Sequence, residues 1–175
     1  MQSTLDQEKK RFNSWYDQLF ENFKMNSNKK IQELIVNLQK GYEEMVEKRV
    51  DFSAYRTSSQ PLSSGAKVVF YQVWTNVGNG YEPSTGVFTA PYVGLYHLTA
   101  VVASENNKSL FLKLYHNGNK TPGSWLTGDG CKTGSFDVVL NLQKGDRVYI
   151  FVGSGSNTIF SNPYAYVTFS GHIIA

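Results

Sequence analysis

Few side chains in this sequence are spaced for catalysis. The three histidines are His97, His116 and His172, and no Ser-His-Asp spacing or metal-binding motif appears around them. The glycine-rich segment 78–80 precedes no predicted helix, so it does not read as a phosphate-binding loop. The sequence therefore predicts that the protein is not an enzyme.

Aromatic and polar side chains in predicted turns and at strand ends indicate a binding site instead. A sugar site needs an aromatic surface beside amide, hydroxyl or charged groups. The side chains that supply this chemistry are Tyr81, Tyr115, His116, Asn117, Trp125 and Asp129. We expect Tyr81 to be exposed in a loop. Trp125 has a second interpretation, in which its ring fills the core between strands.

Acidic side chains are sparse in the predicted loops, where they are Glu82, Glu105 and Asp129. The chain has one cysteine, Cys131, which forms no disulfide within the chain and is either a free thiol or paired between chains.

Residues 49–175 have the pattern of an all-β domain. Aromatic residues make up 14% of the chain and charged residues 18%, which favours strands. Strands and turns alternate from Phe70 to Ala100, where we expect the strands to be buried on both faces. Farther along, Leu110, Leu112 and Leu114 alternate with Phe111, Lys113 and Tyr115, and a further strand is predicted from Arg147 to Val152; these short strands are typical of a sandwich or barrel.

The charge and hydropathy of the chain exclude two classes of partner. The net charge is +3, from 17 basic and 14 acidic residues, and the basic residues form no stripe. We therefore expect no nucleic-acid binding. No apolar run is long enough to span a bilayer and the first residues lack a signal-peptide core, so we expect no membrane insertion.

Residues 1–48 carry the pattern of an amphipathic helix. They contain no proline and one glycine. Apolar side chains recur at spacings of three, four and seven; they are Leu5, Phe12, Tyr16, Leu19 and Phe23, then Ile31, Leu34 or Ile35, Leu38, Tyr42 and Met45. The spacing slips by one residue at 26–28 (Asn-Ser-Asn). One long helix or two shorter helices joined by a turn would fit.

A lone helix of this kind would leave its apolar stripe in water. Packing against copies of the same helix is the simplest way to bury the stripe, and packing on the chain's own β-domain is the alternative. We therefore predict that residues 1–48 are a helical oligomerisation segment.

The region from Phe70 to Ala100 also carries the signature of a known family. The matching positions are Phe70, Asn76, Tyr81, Phe88, Gly94 and Tyr96, while Leu98 and Ala100 stand where the family has aromatics. Residues 142–149 and 168–174 match two further segments in the right order. Over about residues 50–175 the chain resembles the globular C1q domain family. It is most similar to mollusc C1q-domain proteins, which lack a collagen stalk and often carry a coiled coil.

The resemblance implies a fold, an assembly and a function. The fold is all-β, a ten-stranded jelly-roll sandwich shared with the tumour-necrosis-factor ligands, here preceded by the helical segment. The assembly is a homotrimer that is secreted and extracellular. The function is lectin-like recognition of glycans or microbial surfaces in innate immunity. Some members of the family also bind calcium through acidic loop residues, and Asp129 is the leading candidate for such a ligand here. Because calcium takes six to eight oxygen ligands, the site would also need backbone carbonyls or a neighbouring subunit. Two alternatives stay open, namely a cerebellin-like or tumour-necrosis-factor-like ligand for a cell-surface receptor, and a purely structural assembly protein.

Overall fold

Two units with different secondary structure follow each other along the chain. A computed structural model describes residues 2–154 and 157–174. The first unit ends at Glu47 and the second begins at Lys48. Among the described residues, no helix combines the length and the apolar character needed to cross a bilayer.

The first unit is the helix α1 (Gln2–Glu47), which is 46 residues and about 69 Å long at 1.5 Å per residue. Of the two alternatives, the continuous helix is therefore the one found. The segment 26–28 does not interrupt it, because Asn and Ser cost a helix interior far less than proline would. The apolar side chains of the stripe are exposed along the whole helix, from Leu5 to Met45.

The described part of the second unit contains twelve strands. They are β1 (Asp51–Arg56), β2 (Gln60–Leu62), β3 (Gln72–Val77), β4 (Tyr81–Glu82), β5 (Val87–Thr89), β6 (Gly94–Ala103), β7 (Leu110–His116), β8 (Asn119–Leu126), β9 (Thr133–Leu142), β10 (Arg147–Val152), β11 (Asn157–Ile159) and β12 (Val167–Ile173).

Ten of these strands form two five-stranded sheets. The first sheet has the order β3-β1-β12-β6-β9 and the second has the order β4-β5-β10-β7-β8. The short strands β11 and β2 pair separately. The predicted ten-stranded jelly-roll sandwich is confirmed, with this additional strand pair.

Alternation along the strands builds the core between the two sheets. On β1, Phe52 and Ala54 are buried while their neighbours are partly exposed, as the pleat of a strand requires. The ring of Phe52 stacks on Tyr81 at 5.0 Å and on Phe88 at 4.7 Å, and it meets Phe169 edge-on at 5.0 Å. This cluster joins two strands of the first sheet to two strands of the second.

The expectation of strands buried on both faces between Phe70 and Ala100 is wrong for two of them. Strand β3 is almost wholly exposed because it lies at the edge of the first sheet. Strand β6 buries Tyr96, Leu98 and Ala100, but its outward side leaves Leu95 and Val101 exposed. The outward side of the first sheet therefore carries exposed apolar side chains among polar ones.

Gly171 on β12 lies where the chain leaves no room for a side chain. A Cβ atom there would come within 2.5 Å of Leu98 Cδ2 and 2.7 Å of Phe52 Cε1, and the Phe52 ring is held by its stacked neighbours. We expect Gly171→Ala to lower the free energy of unfolding by about 1–3 kcal/mol through overpacking. Urea denaturation at fixed protein concentration measures this loss.

Gly123→Ala on β8 is the matched control. The nearest atoms to a Cβ atom at Gly123 would lie at 3.5–3.7 Å, which is ordinary van der Waals contact. We expect this variant to change the free energy of unfolding by less than about 0.5 kcal/mol. Equal losses in the two variants would contradict the overpacking account.

Candidate ligand-binding face of the second sheet

Strands β7 and β10 place leucine and isoleucine inside and aromatic side chains outside. On β7, Leu110, Leu112 and Leu114 are fully buried, while the intervening residues are partly exposed. Strand β10 has the same alternation. The outward side chains of these strands and of two neighbouring segments form what we call the aromatic face, which consists of Lys67, Phe111, Lys113, Tyr115, Trp125, Tyr149 and Phe151.

The strand register fixes how the aromatic face is laid out. One cross-strand row runs from Lys67 through Phe151 and Lys113 to Gly123. The next row pairs Tyr149 with Tyr115. Neighbouring strands lie about 4.8 Å apart, so side chains along a row touch each other.

Ring contacts tie the rows of the aromatic face together. The Tyr115 ring lies 5.2 Å from Tyr149 and 4.8 Å from Phe151, edge-on to the latter. The Phe111 ring lies 6.1 Å from Trp125. Burial against these neighbours raises the pKa of Tyr149, so its hydroxyl stays protonated and able to donate a hydrogen bond at neutral pH.

Both lysines of the aromatic face lie over rings. Lys67 Nζ is 5.0 Å from the centroid of Tyr149, and Lys113 Nζ is 5.0 Å from the centroid of Phe111. These are cation–π distances, so each ammonium group is held near the sheet instead of extending freely into solvent.

The lack of a side chain at Gly153 leaves the space that the Phe111 ring occupies. A Cβ atom at Gly153 would lie 2.5 Å from Phe111 Cε1, so the ring rests against a position where only glycine fits. The backbone N–H of Gly153 donates to the Phe111 carbonyl at 2.9 Å. The Phe111 ring therefore packs directly against the backbone of Gly153.

Trp125 is exposed, with 73% of its surface accessible, so the interpretation as a core side chain is wrong. The structure places it on β8, opposite Phe111. No strand is predicted at residues 119–124 from the sequence, because their composition is typical of a turn. Proline is tolerated in this strand because β8 is the edge of the second sheet.

Tyr81 is buried, and the expectation that it is exposed in a loop is wrong. Its accessible fraction is 2%, and its hydroxyl donates to the Phe70 carbonyl at 3.0 Å. The Asn76 side-chain amide donates to the Tyr81 carbonyl at 2.8 Å, and its oxygen accepts from the Tyr81 N–H at 3.1 Å. Asn76 thereby closes the turn and directs the ring inwards. Tyr81 has no surface left for a ligand.

His116 and Asn117 belong to a hydrogen-bond network around Asp146 at the end of the aromatic face. His116 Nε2 donates to Asp146 Oδ2 at 2.8 Å, and Asn117 Nδ2 donates to Asp146 Oδ1 at 2.6 Å. The Gln143 N–H donates to Oδ2 at 2.9 Å. These bonds lower the pKa of Asp146, the one from His116 most. The network ties the β7–β8 hairpin to the β9–β10 connection.

Asp129 is exposed in the connection between β8 and β9 and is not part of the aromatic face. The Lys132 ammonium donates to the Asp129 carbonyl, which places a positive charge where a calcium ion would need oxygen ligands. Among the described residues, no group of three or more His, Cys, Asp or Glu side chains could hold a metal. The calcium site stays a prediction. Cys131, in the same connection, is an exposed free thiol in this structure.

The other two histidines lie on the outward side of the first sheet. His97 Nε2 lies 2.6 Å from Asp137 Oδ1, and the rings of His97 and His172 meet edge-on at 5.3 Å. Asp137 is 74% exposed, so this pair is in contact with water. Sequence spacing carries no sign of this contact, because β6 and β9 are far apart in the chain.

The structure thus brings together Tyr115 and Trp125, with His116 and Asn117 beside them, and leaves out Tyr81 and Asp129. Sequence reasoning missed Lys67, Tyr149 and Phe151 as site residues. The alternation of Arg147–Val152 was visible, but only the pairing of β10 with β7 shows that its outward rings join those of β7.

The Asp146 network generates a pH-dependent prediction. The pKa of Asp146 is lowered in the folded state, so its contribution to stability is present above the unfolded-state pKa of about 3.9 and is lost as the pH falls through the folded-state value. We expect Asp146→Asn to lower the free energy of unfolding by about 1–3 kcal/mol at pH 7, because hydrogen bonds to a charged group are lost. The loss should shrink below about pH 4.

Asp137→Asn is the matched control for urea denaturation at pH 7 and pH 3. Asp137 also contacts a histidine, but it is largely exposed. We expect a change of less than about 1 kcal/mol at either pH. A cost of Asp146→Asn that is the same at both pH values would show that the charge of Asp146 contributes nothing.

Comparison with known proteins places this sandwich in a family. The model of the C1q domain matches residues 51–174. The chain is 33% identical over 110 residues to complement C1q tumor necrosis factor-related protein 3 of Mus musculus, a match that covers 61% of this chain and 44% of that protein. It is 32% identical over 111 residues to complement C1q tumor necrosis factor-related protein 6 of Mus musculus, covering 61% and 42%. The chain spans less than half the length of these two relatives.

Solved structures agree on the fold. The globular domain of zebrafish complement 1qA protein superposes with a TM-score of 0.61 at 22% identity, covering 72% of this chain and 98% of that one. The Eiger TNF of S. frugiperda superposes with a TM-score of 0.62 at 11% identity, covering 73% and 94%. The match of the C1q domain model over residues 51–174 shows that the chain belongs to the C1q domain family.

Proposed function

We propose that this chain is a secreted, homotrimeric recognition protein whose C1q-like heads bind carbohydrate or microbial surface patterns through the aromatic face. The observation that carries the proposal is that face itself, which has five aromatic rings and two lysines on the outward side of the second sheet. Rings offer flat apolar surface to a sugar, while tyrosine hydroxyls and ammonium groups offer hydrogen bonds. Membership of the C1q family supports a recognition function.

The proposed homotrimer is supported by apolar surface elsewhere in the chain. Along α1, large apolar side chains such as Leu19 and Leu38 are 52% and 74% exposed. The outward side of the first sheet exposes Leu95, Val101 and Val139. Further copies of the chain would cover both surfaces. Three heads on one scaffold would also bind a repetitive surface with avidity far above that of one head.

The alternative is a ligand for a cell-surface receptor. The likeness of the sandwich to the Eiger TNF structure favours it at the level of the fold. This alternative predicts that the head binds a protein and no sugar, and the glycan experiment below separates the two functions.

The oligomeric state of the full chain is the first prediction of this proposal. Sedimentation equilibrium should give three times 19.7 kDa. Leu38→Lys places a charge in the apolar stripe of α1, and we expect it to shift the equilibrium towards smaller species because burying an unpaired charge is costly.

Val36→Lys is the matched control, because Val36 is also exposed on α1 but lies outside the stripe. We expect it to sediment like the unchanged chain. A monomeric full chain would refute the trimer. Equal effects of Leu38→Lys and Val36→Lys would refute the apolar stripe as the contact surface between the helices.

Carbohydrate recognition is the second prediction. The trimer, applied to a glycan array and to whole bacteria, should bind at least one class of saccharide. Heat-denatured protein at the same concentration is the control for nonspecific adsorption. Absence of binding to every sugar and bacterial surface at high trimer concentration would reject the lectin-like function and leave the receptor-ligand alternative.

A further inference from the structure

The charges of the aromatic face narrow the class of ligand; this inference rests on the proposed function. Lys67 and Lys113 flank Phe151 in one cross-strand row. Two strand spacings separate the backbones of the lysines, which is about 10 Å. None of the seven positions of the face is Asp or Glu. The face therefore presents two positive charges around a ring and no compensating negative charge.

Among the described residues, neither lysine of the aromatic face forms an ion pair. The ion pairs of the described residues involve other basic groups. The rings under Lys67 and Lys113 attract a cation through their quadrupole but carry no net charge. Both ammonium groups therefore keep their charge available for an anionic ligand, and the rings hold them close to the sheet.

A second copy of the chain does not suit this face. Packing two such faces together would bring like charges into contact without acids to balance them, which costs free energy. The surrounding head has the same sign, because residues 48–175 contain ten Lys or Arg and six Asp or Glu. The outward side of the first sheet exposes the aliphatic side chains of Leu95, Val101 and Val139, and it suits self-association better.

We propose that the aromatic face binds an acidic polysaccharide. Sugar rings lie on Trp125 and Phe111 and on the Tyr115–Tyr149 pair. Carboxylate or sulfate groups of the chain pair with Lys67 and Lys113. Charge-assisted hydrogen bonds of this kind are about twice as strong as neutral ones, so the anionic groups decide which saccharides bind.

Matched polymers test the ligand class with the full-length protein. Dextran sulfate and neutral dextran share one backbone, and polygalacturonate supplies carboxylates in place of sulfates. We expect dextran sulfate, polygalacturonate or both to bind at least about tenfold more tightly than dextran, and raised salt to weaken the binding. The two anionic arms identify which acidic group is preferred. Polyglutamate, which has carboxylates without sugar rings, should bind more weakly than the preferred polymer.

Paired variants test the site. We expect Lys67→Gln and Lys113→Gln each to weaken binding of the preferred polymer about fivefold to tenfold, and Trp125→Ala to weaken it about tenfold. Lys48→Gln is the charge control, because it also removes one positive charge, at a residue that precedes β1 in the sequence. Trp74→Ala removes another exposed tryptophan, which lies on β3 of the first sheet. Both control variants should bind like the unchanged chain. Sedimentation and thermal unfolding confirm that each variant keeps its fold and assembly.

The outcomes separate this inference from the proposed function. Binding of neutral dextran or other neutral sugars as tightly as of their acidic counterparts would overturn the acidic-ligand inference and leave carbohydrate recognition standing. Acidic polymers that bind equally to Lys67→Gln, Lys113→Gln and Trp125→Ala would overturn the aromatic face as the site. A chain that binds no saccharide of either kind would overturn both.

Discussion

The antiparallel pairing of β7 with β10 is the interaction on which the candidate site depends. It places Tyr115 opposite Tyr149 and Lys113 opposite Phe151. The same register buries Leu112, Leu114 and Ile150 on the inner side. Because strand side chains alternate with a period of two, a slip of one residue would exchange the outward rings with the core leucines. The buried core therefore fixes the arrangement of the proposed binding surface.

The two sheets of the sandwich differ in what they present to solvent. The outward side of the first sheet exposes aliphatic side chains together with His97 and Asp137, in contact with each other. The outward side of the second sheet presents aromatic rings with lysines over them. This difference supports separate functions for the two sides, with assembly through the first and ligand binding through the second. The head could then bind a surface without disturbing the assembly.

Much of the fold could be predicted from the sequence. The alternation from Leu110 to Tyr115 and the strand from Arg147 to Val152 were visible as periods of two. The helical character of residues 1–48 was visible too, but the spacing fitted one long helix or two shorter ones. Strand β8 could not be predicted because its residues have the composition of a turn, which an edge strand tolerates. The exposure of β3 and of one side of β6 depends on the order of strands in the sheet, which local sequence does not specify.

The candidate site was less predictable because its residues come from separate parts of the chain. Lys67 reaches the face only through an isolated bridge to Phe151. Tyr81 looked like a loop residue because turns surround it, yet it pairs with Phe88 of β5, and the Asn76 amide bonds both its N–H and its carbonyl. Both outcomes follow from contacts between residues whose sequence spacing carries no signal. Residue type alone identified Tyr115 and Trp125.

The most direct measurement of the central claim is a crystal structure of the full chain with a defined acidic oligosaccharide. The account predicts sugar rings over Phe111 and Trp125 and a carboxylate or sulfate oxygen within hydrogen-bond distance of Lys67 Nζ or Lys113 Nζ. An oligosaccharide bound instead at the Asp129 connection, on the first sheet or along α1, with the aromatic face empty, would contradict it.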